Sequence, residues 1–267
     1  MERVVALAGF PTDVNSSFRR GPAKAPAAIR DAMWSEQGNA YTETGVRLER
    51  SRNVVDIGDA ALEEDDGDRA RIESIVERQL EKGRRVLSLG GDHSVTFPIV
   101  AAYAKRYEDL RIVHVDAHPD LYPEFGGNRY SHACPFARIL EETPVDSLTQ
   151  IGIRTMTPVQ REVAERHGVR VYGPDDVMQA ATTLPNGPVY VTIDLDGLDP
   201  SFAPGVSHRE PGGLSVRDVL RVVAAIPGRI VGADVVELNP ECDVDGLTAS
   251  VAAKLARELA GAMIGGR

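Results

Sequence analysis

Cysteine is nearly absent: two in 267 residues, Cys134 and Cys242. They form no C-x-x-C pair and no disulfide framework, so a disulfide-stapled scaffold is excluded and a reducing cytoplasm is the expected compartment. Long hydrophobic runs are missing too. No stretch approaches the ~18 apolar residues of a membrane span. The opening MERVVALAGFP has too short an apolar run for a signal peptide and no cleavage-type sequence after it. Positive charge is in deficit, Lys+Arg 30 against Asp+Glu 40, for a net charge of −10. Such a surface disfavours nucleic acid and anionic membrane as partners and mildly favours small cationic ligands. With no repeat and no linker, one domain over residues 1–267 is expected, long enough for a sizeable core.

What the chain does have is alternation. Eight short β-branched runs begin at Val4, Asn53, Arg85, Arg111, Ser147, Val169, Pro188 and Arg229. Amphipathic segments lie between them. RARIESIVERQLEKG ends at Gly83, SVRDVLRVVAAIPG opens on a Ser N-cap and stops at Pro227, and DGLTASVAAKLARELAGAM is the clearest long helix. Strands alternating with helices predict βαβ units and a mainly parallel sheet covered on both faces. The acidic run EEDDGD, Glu63 to Asp68, reads as a solvated loop. The long Gly/Pro-punctuated loop APGVSHREPGG is of the kind that is often functional.

Three motifs fall where strands end, which is where ligands bind in an open α/β sheet. SLGGDHS carries His93, VHVDAHPD carries Asp116, His118 and Asp120, and VTIDLDGLDP carries Asp194 and Asp196. Residues i, i+2 and i+4 of an extended chain point to one side. Asp116, His118 and Asp120 should therefore converge, as should Asp194 and Asp196. Four carboxylates so close repel unless cations neutralise them. Two imidazoles and four carboxylates suit a pair of divalent ions, and oxygen-rich ligation favours Mn²⁺ over Zn²⁺. Two metals about 3.5 Å apart can hold a hydroxide as nucleophile. Each motif alone is weak or moderate evidence; together, at successive strand ends, they outweigh separate turns and caps.

At these residues the chain resembles the ureohydrolases, the family that includes arginase and agmatinase. It looks most like the plant-type arginase branch and its bacterial relatives. NSSFRRGPAKAPAAIRDAMW, GGDHS, DAHPDLY, NRYSHACPFARI, TIDLDGLDPSFAPGVSH, EPGGLS and GADVVELNP carry the resemblance, which covers essentially the whole chain. It implies an α/β fold, a three-layer αβα sandwich with an eight-stranded, mostly parallel sheet of the arginase/deacetylase-like type. It implies two Mn²⁺ per chain, a small cationic guanidino substrate split into urea and an amine, and a homotrimer or homohexamer. By the same resemblance one metal would be held by His93, Asp116, Asp120 and Asp194, and the other by His118, Asp116, Asp194 and Asp196. Asp120 would also bind the attacking hydroxide, Glu237 the guanidinium, and His132 would shuttle the proton to the leaving amine. Without the resemblance, Glu237 reads as a strand-end charge and His132 as a helix-start cap.

For the rest of the substrate the residues say less. Asn128, Arg129 and Ser131 can meet a carboxylate, whereas Glu124 can meet the distal ammonium of agmatine. The expected order is agmatine first, L-arginine next, then guanidinobutyrate or smaller guanidines. His114 reads as packing or support behind Asp116, Asp92 and Asp199 as turn residues, His167 as a helix C-terminal residue, and Cys134 as a small buried residue. His208 lies in the long loop, where both a structural and a pocket-facing reading hold. Three rivals remain. They are a one-zinc deacetylase-like amidohydrolase, a two-metal phosphoesterase, whose GNH[ED]-type motif is absent, and an inactive metal-binding oligomeric scaffold.

Overall fold

The computed structural model describes residues 3–266. Its strands are β1 Val5–Phe10, β2 Val54–Asp59, β3 Arg85–Gly90, β4 Arg111–Val115, β5 Ser147–Ile151, β6 Arg170–Tyr172, β7 Pro188–Asp194 and β8 Arg229–Val236. They form one sheet in the order β2-β1-β3-β8-β7-β4-β5-β6, and every pairing is parallel. The eight apolar runs of the sequence coincide with these eight strands. Their near-continuous Val, Ile and Leu content follows from burial on both faces, since βαβ crossovers cover a parallel sheet with helices.

The helices are α1 Ala25–Met33, α2 Asp68–Glu81, α3 Thr96–Ala104, α4 Pro135–Glu142, α5 Pro158–Arg166, α6 Val177–Thr182, α7 Val216–Ala225 and α8 Leu247–Gly265. One core cluster joins the sheet to α1, α6, α7 and α8 through residues such as Ile29, Val219 and Leu255. A second joins the other face to α2, α3, α4 and α5 through Val76, Ile99, Phe136 and Val163. The result is the three-layer sandwich expected. Among the described residues no helix is long and apolar enough to cross a membrane.

Local chemistry sets the helix ends. Ser215 and Asp218 form a reciprocal capping box at the start of α7, with N–H to side-chain oxygen distances of 3.1 Å each way. That helix ends at Ala225, two residues before Pro227. Helix α2 ends at Glu81, and Gly83 takes a positive φ of 72°, a conformation glycine adopts freely. The sequence picks out α2, α7 and α8 but not the shorter helices. Helix α3 shows why. TFPIVAAYA is buried on nearly all sides, so it carries no apolar stripe for periodicity to find.

The strand order matters most for function. β3, β8, β7 and β4 are successive neighbours at the centre of the sheet. Their C-terminal ends bring GGDHS, VVELNP, IDLDG and VDAHPD together. The turns there are tight. A Cβ on Gly197 would lie 2.8 Å from the backbone nitrogen of Asp116 and 2.9 Å from its Cα. Gly197→Ala should therefore cost about 1–3 kcal/mol, the usual range for overpacking. A lowered urea midpoint of the metal-free protein measures it; an unchanged midpoint would show that this turn is free to move.

Candidate metal centre and active-site cleft

Strand β3 ends at Gly90, and Asp92 then caps a short 3₁₀ turn over His93–Val95 by accepting the Ser94 N–H at 3.1 Å. This drops His93, fully buried, behind the strand ends. From β4 the chain runs straight into Asp116, whose N–H still bonds to Ile151 at 3.1 Å. At Asp120 and Glu237 the backbone takes positive φ of 48° and 64°. Non-glycine residues adopt that region at a cost of about 1–3 kcal/mol and concentrate there at functional sites.

The six residues of the two strand-end carboxylate motifs and GGDHS meet. His93 Nδ1 lies 3.2 Å from Asp116 Oδ2, 3.1 Å from Asp120 Oδ2 and 3.2 Å from Asp194 Oδ2. His118 Nδ1 lies 3.5 Å from Asp116 Oδ1 and 3.1 Å from Asp196 Oδ2. Asp116 is common to both groups, one oxygen toward each. Asp194 Oδ1 accepts the Asp196 N–H at 2.8 Å, which ties the β7 pair together.

The electrostatics of the protein groups alone show what is missing. Burial raises the Asp194 carboxyl, and Asp196 and Asp116 raise it further. Burial and then Asp116 push Asp196 up to about 7 against the pull of His118. Burial would lower His93, yet Asp116, Asp120 and Asp194 carry it well above the usual histidine range. Asp194, Asp196 and the His93 imidazole thus favour their protonated forms for want of other positive charge, while His114, His118 and His93 outweigh burial at Asp116 and hold it well below the usual carboxylate range. His93 Nδ1 is buried with no hydrogen-bond donor or acceptor meeting it among the described residues, though three carboxylate oxygens surround it. Its other nitrogen, Nε2, is held by Thr192 Oγ1 at 3.0 Å. That is the arrangement of a ligand imidazole with its second nitrogen fixed. The donor set of oxygens and imidazole nitrogens fits divalent cations.

Further groups support this set. His114 Nε2 sits 2.7 Å from Asp116 Oδ2, its Nδ1 is 3.1 Å from Gln150 Nε2, and its ring stacks on Phe136 at 3.9 Å. It thus combines the packing and supporting readings. Asp199 holds its turn by accepting the N–H of Ser201, Gly212 and Gly213. His167 ends α5, and Cys134 is buried.

Glu237 and His132, 105 residues apart, are in contact. Glu237 Oε1 accepts the His93 N–H at 2.9 Å and lies 2.8 Å from His132 Nδ1. His132 Nε2 accepts the Ser17 N–H at 3.2 Å and lies 2.8 Å from Ser17 Oγ. In the neutral ring, Nε2 accepting leaves the proton on Nδ1, donated to Glu237; in the imidazolium both nitrogens donate, and Nε2–H then turns to the Ser17 hydroxyl. Burial would lower the His132 pKa, but the charge and hydrogen bond of Glu237, with Asp92 and Asp120 beyond, carry it up to about 9. The same contact outweighs burial at Glu237 and keeps it ionised.

A cavity of about 480 Å³ opens over this floor, lined by His118, Asp120, Asp194, Asp196, His132 and Glu237 below and by Tyr122, Thr155, Thr157 and Gln160 farther out. His208 lines it as well, its ring 5.4 Å from that of His132 and 6.0 Å from that of His118. The pocket-facing reading of His208 is the one the fold adopts. Asn128 and Ser131 lie outside this lining. A bridge between Phe125 and Asn128 turns the loop, and Asn128 Nδ2 donates to Asn15 Oδ1 at 2.9 Å. Ser131 lines a separate small void with Asn15 and Arg138. Glu124 is exposed and outside the lining.

Sequence reasoning left Ser17, Thr192, Gln150 and Arg154 unassigned. Thr192 was within reach, two residues before Asp194 and so on its side of β7. Gln150 and Arg154 come from segments with no local signal, and Ser17 lies in a stretch that carries the resemblance but no spacing of its own. The Arg154 guanidinium looks available for a substrate carboxylate but is spent on the carbonyls of Gly152, Asp196, Gly197, Leu198 and Glu210.

A parallel αβα sandwich with a histidine–carboxylate cluster at its central strand ends defines the class of hydrolases whose strand-end side chains can hold divalent metals. The profile of the Arginase family matches residues 3–261. Arginase 1, mitochondrial, of Arabidopsis thaliana is 46% identical over 272 residues, covering 96% of this chain and 80% of that protein. The agmatinase of Bacillus anthracis is 35% identical over 267 residues, covering 97% and 91%. The solved arginase of Medicago truncatula superposes with a TM-score of 0.93 at 44% identity, covering 98% of this chain and 88% of that one. The chain belongs to the arginase family, and is a hydrolase acting on carbon–nitrogen bonds with side-chain clusters fit for a binuclear metal site.

Because these carboxylates lack compensation without cations, chelation should destabilise the fold. Exhaustive removal of divalent metal at neutral pH should lower the melting temperature by several degrees, and Mn²⁺ should restore it. Identical melting curves with and without metal would refute the assignment of the cluster as a metal centre.

Proposed function

We infer that the protein hydrolyses L-arginine to urea and L-ornithine, using two Mn²⁺ ions. The observation that carries the guanidino chemistry is Glu237, an ionised buried carboxylate on the floor of the cleft, beside the carboxylate cluster. A planar guanidinium pairs with a carboxylate through two N–H groups, which orients it as well as binding it. Arginine takes precedence over agmatine, the first choice from the sequence, for two reasons. Identity to the plant arginases reaches 46%, against 35% to the bacterial agmatinases. Beside the apolar Phe125 and Met156, the lining includes the hydroxyl groups of Thr155 and Tyr122, which suit an end bearing both ammonium and carboxylate, whereas Thr157 and Gln160 Oε1 are bonded to each other in the α5 capping box. Agmatine is the second reading. Glu210, whose Oε1 lies 3.8 Å from His118 Nε2, offers a partner for a lone ammonium.

His93, Asp116, Asp120 and Asp194 would hold one cation, and His118, Asp116, Asp194 and Asp196 the other. Bound there, divalent ions supply the Lewis acidity that makes water nucleophilic at neutral pH. The chain's own groups do the rest. Glu237 draws the guanidinium down so that its carbon faces the cluster. Asp120 accepts a hydrogen bond from the attacking water. An alkylamine cannot leave as an anion, so its nitrogen must be protonated before the C–N bond breaks. His132 supplies that proton, its imidazolium form favoured by Glu237 and its ring held by Ser17. We also propose a homotrimer or homohexamer, checked by light scattering, and a cytoplasmic location, in keeping with two free cysteines.

Urea release after Mn²⁺ loading, across L-arginine, agmatine, guanidinobutyrate and free guanidine, tests the substrate. We expect kcat/KM for L-arginine to exceed that for agmatine at least tenfold, and the reverse order would assign the enzyme as an agmatinase. Loss of the proton donor in His132→Asn should lower kcat by about 10²-fold while metal content stays at the wild-type value. Wild-type turnover in that variant would pass the role to another group, with His208 the nearest imidazole.

A further inference from the structure

At the opposite end of the strands, where β1, β3 and β8 begin, the chain gathers positive charge. Arg3 precedes β1, Arg84 precedes β3, and Arg85 and Arg229 open β3 and β8. β1, β3 and β8 are successive neighbours, so these residues stand side by side. Arg106 joins them from the end of α3. With Tyr107, all five line a concavity of about 230 Å³. From Arg229 to Glu237 the strand spans about 25 Å at ~3.3 Å per residue, so this is not the catalytic cleft.

Elsewhere on this acidic chain many guanidinium groups meet carboxylates, as Arg71 meets Glu63, Asp65 and Asp68, and others, such as Arg154 and Arg209, are taken up by carbonyls. Here, among the described residues, none of the five forms an ion pair with a carboxylate. Arg84 donates to Gln79 Oε1 at 3.0 Å, Arg85 to the Met263 carbonyl, and Arg229 lies over the Tyr107 ring at 5.9 Å. Arg3 and Arg106 spend no guanidinium donor on a described residue. The plain alternative is that these arginines cap helix C-termini, where cations are favourable. Yet the ends of α2 and α3 are closed by backbone N–H groups: Gly83 bonds to Leu80, Arg84 to Gln79, Lys105 to Ala101 and Arg106 to Tyr103. Capping therefore accounts for Arg85, which donates to the Met263 carbonyl in the last turn of α8, but not for Arg3, Arg106 and Arg229, whose guanidinium groups bond to no helix-end carbonyl among the described residues. The crowding is costly as well. Burial, with the like charges of Arg3 and Arg229, brings even the Arg85 guanidinium down to about 10.

We propose that this concavity is a binding site for a phosphate-bearing anion, held by the guanidinium groups of Arg3, Arg106 and Arg229 over the partly buried Arg85. Guanidinium forks match tetrahedral oxyanions in shape and charge. The anion supplies the counter-charge the protein withholds here, and the cavity admits a phosphate group with a small substituent.

Sulfate serves as the probe, because unlike polyphosphates it does not strip Mn²⁺ from the catalytic site. Titrated calorimetrically into the Mn²⁺-loaded protein at fixed ionic strength, it should bind saturably, one per chain. Arg106→Ser with Arg229→Ser, both exposed positions, should weaken binding at least tenfold, whereas Arg106→Lys should stay within threefold. Asp196→Asn, at the far end of the sheet, should leave it unchanged. Inorganic phosphate and adenosine monophosphate, compared as competitors, then separate a free-phosphate site from a nucleotide site. The proposal is overturned if wild-type binding does not saturate, or if the double variant binds equally well. It is also overturned if Asp196→Asn abolishes binding while the arginine variant keeps it, which would assign the sulfate to the catalytic cleft. A double variant of lower oligomeric mass, with no sulfate bound by the wild type, would make the patch an interface between copies.

Discussion

The repulsion among Asp116, Asp120, Asp194 and Asp196 is the interaction around which the rest of the structure is arranged. Four carboxylates at buried strand ends are unstable company. The protein answers with His93 and His118 directly between them, with His114 behind Asp116, and with backbone N–H groups at Asp194 and Asp116. These contacts reduce the repulsion but leave a deficit of positive charge, which is the driving force for cation binding. Support reaches outward from there: Thr192 steadies His93, Gln150 steadies His114, and Arg154 fastens the Asp196 turn to the loop bearing His208 and Glu210.

The floor of the cleft separates two tasks. The aspartates and two histidines face one another and are fit to hold cations. Glu237 and His132 face the cavity and are paired with each other, so the carboxylate proposed to receive a guanidinium also keeps the neighbouring imidazole charged. Positive φ at Glu237 aims its side chain off the strand and into the cleft. The backbone strain is held by the bond from its N–H to Gly91, in the same GGDHS turn that delivers His93.

Much of this was legible beforehand, for reasons that can be named. Strand identity was plain because a sheet buried on both faces demands β-branched runs bounded by glycine and proline, and all eight stood out. Helices with a solvent face, such as α2 and α7, showed their stripe and caps; α3, buried all round, showed none. The metal-ligand candidates announced themselves because an extended chain puts every second residue on one side. Glu237 and His132 were visible only through resemblance, since a single Glu after a strand and a single His before a helix carry no spacing of their own. The course of the loop after Asp120 was not legible, for the complementary reason. Polar residues near a site in sequence were taken to face it, but the turn at Phe125–Asn128 sends Asn128 to Asn15.

The sequence alone therefore determined the element list, the α/β class and the convergence of ligands within each motif, because these depend on period-2 and period-3.6 geometry over a few residues. Only the tertiary structure decided that β3, β8, β7 and β4 lie side by side, which merges three separate motifs into one cluster. It also decided that Ser17 and Glu237 would grip the same imidazole, that Arg154 would be consumed by carbonyls, and that His208 would face the cavity. Strand order and loop direction follow from how helices pack on both faces of the sheet, a balance summed over the whole core that no short stretch of chain encodes.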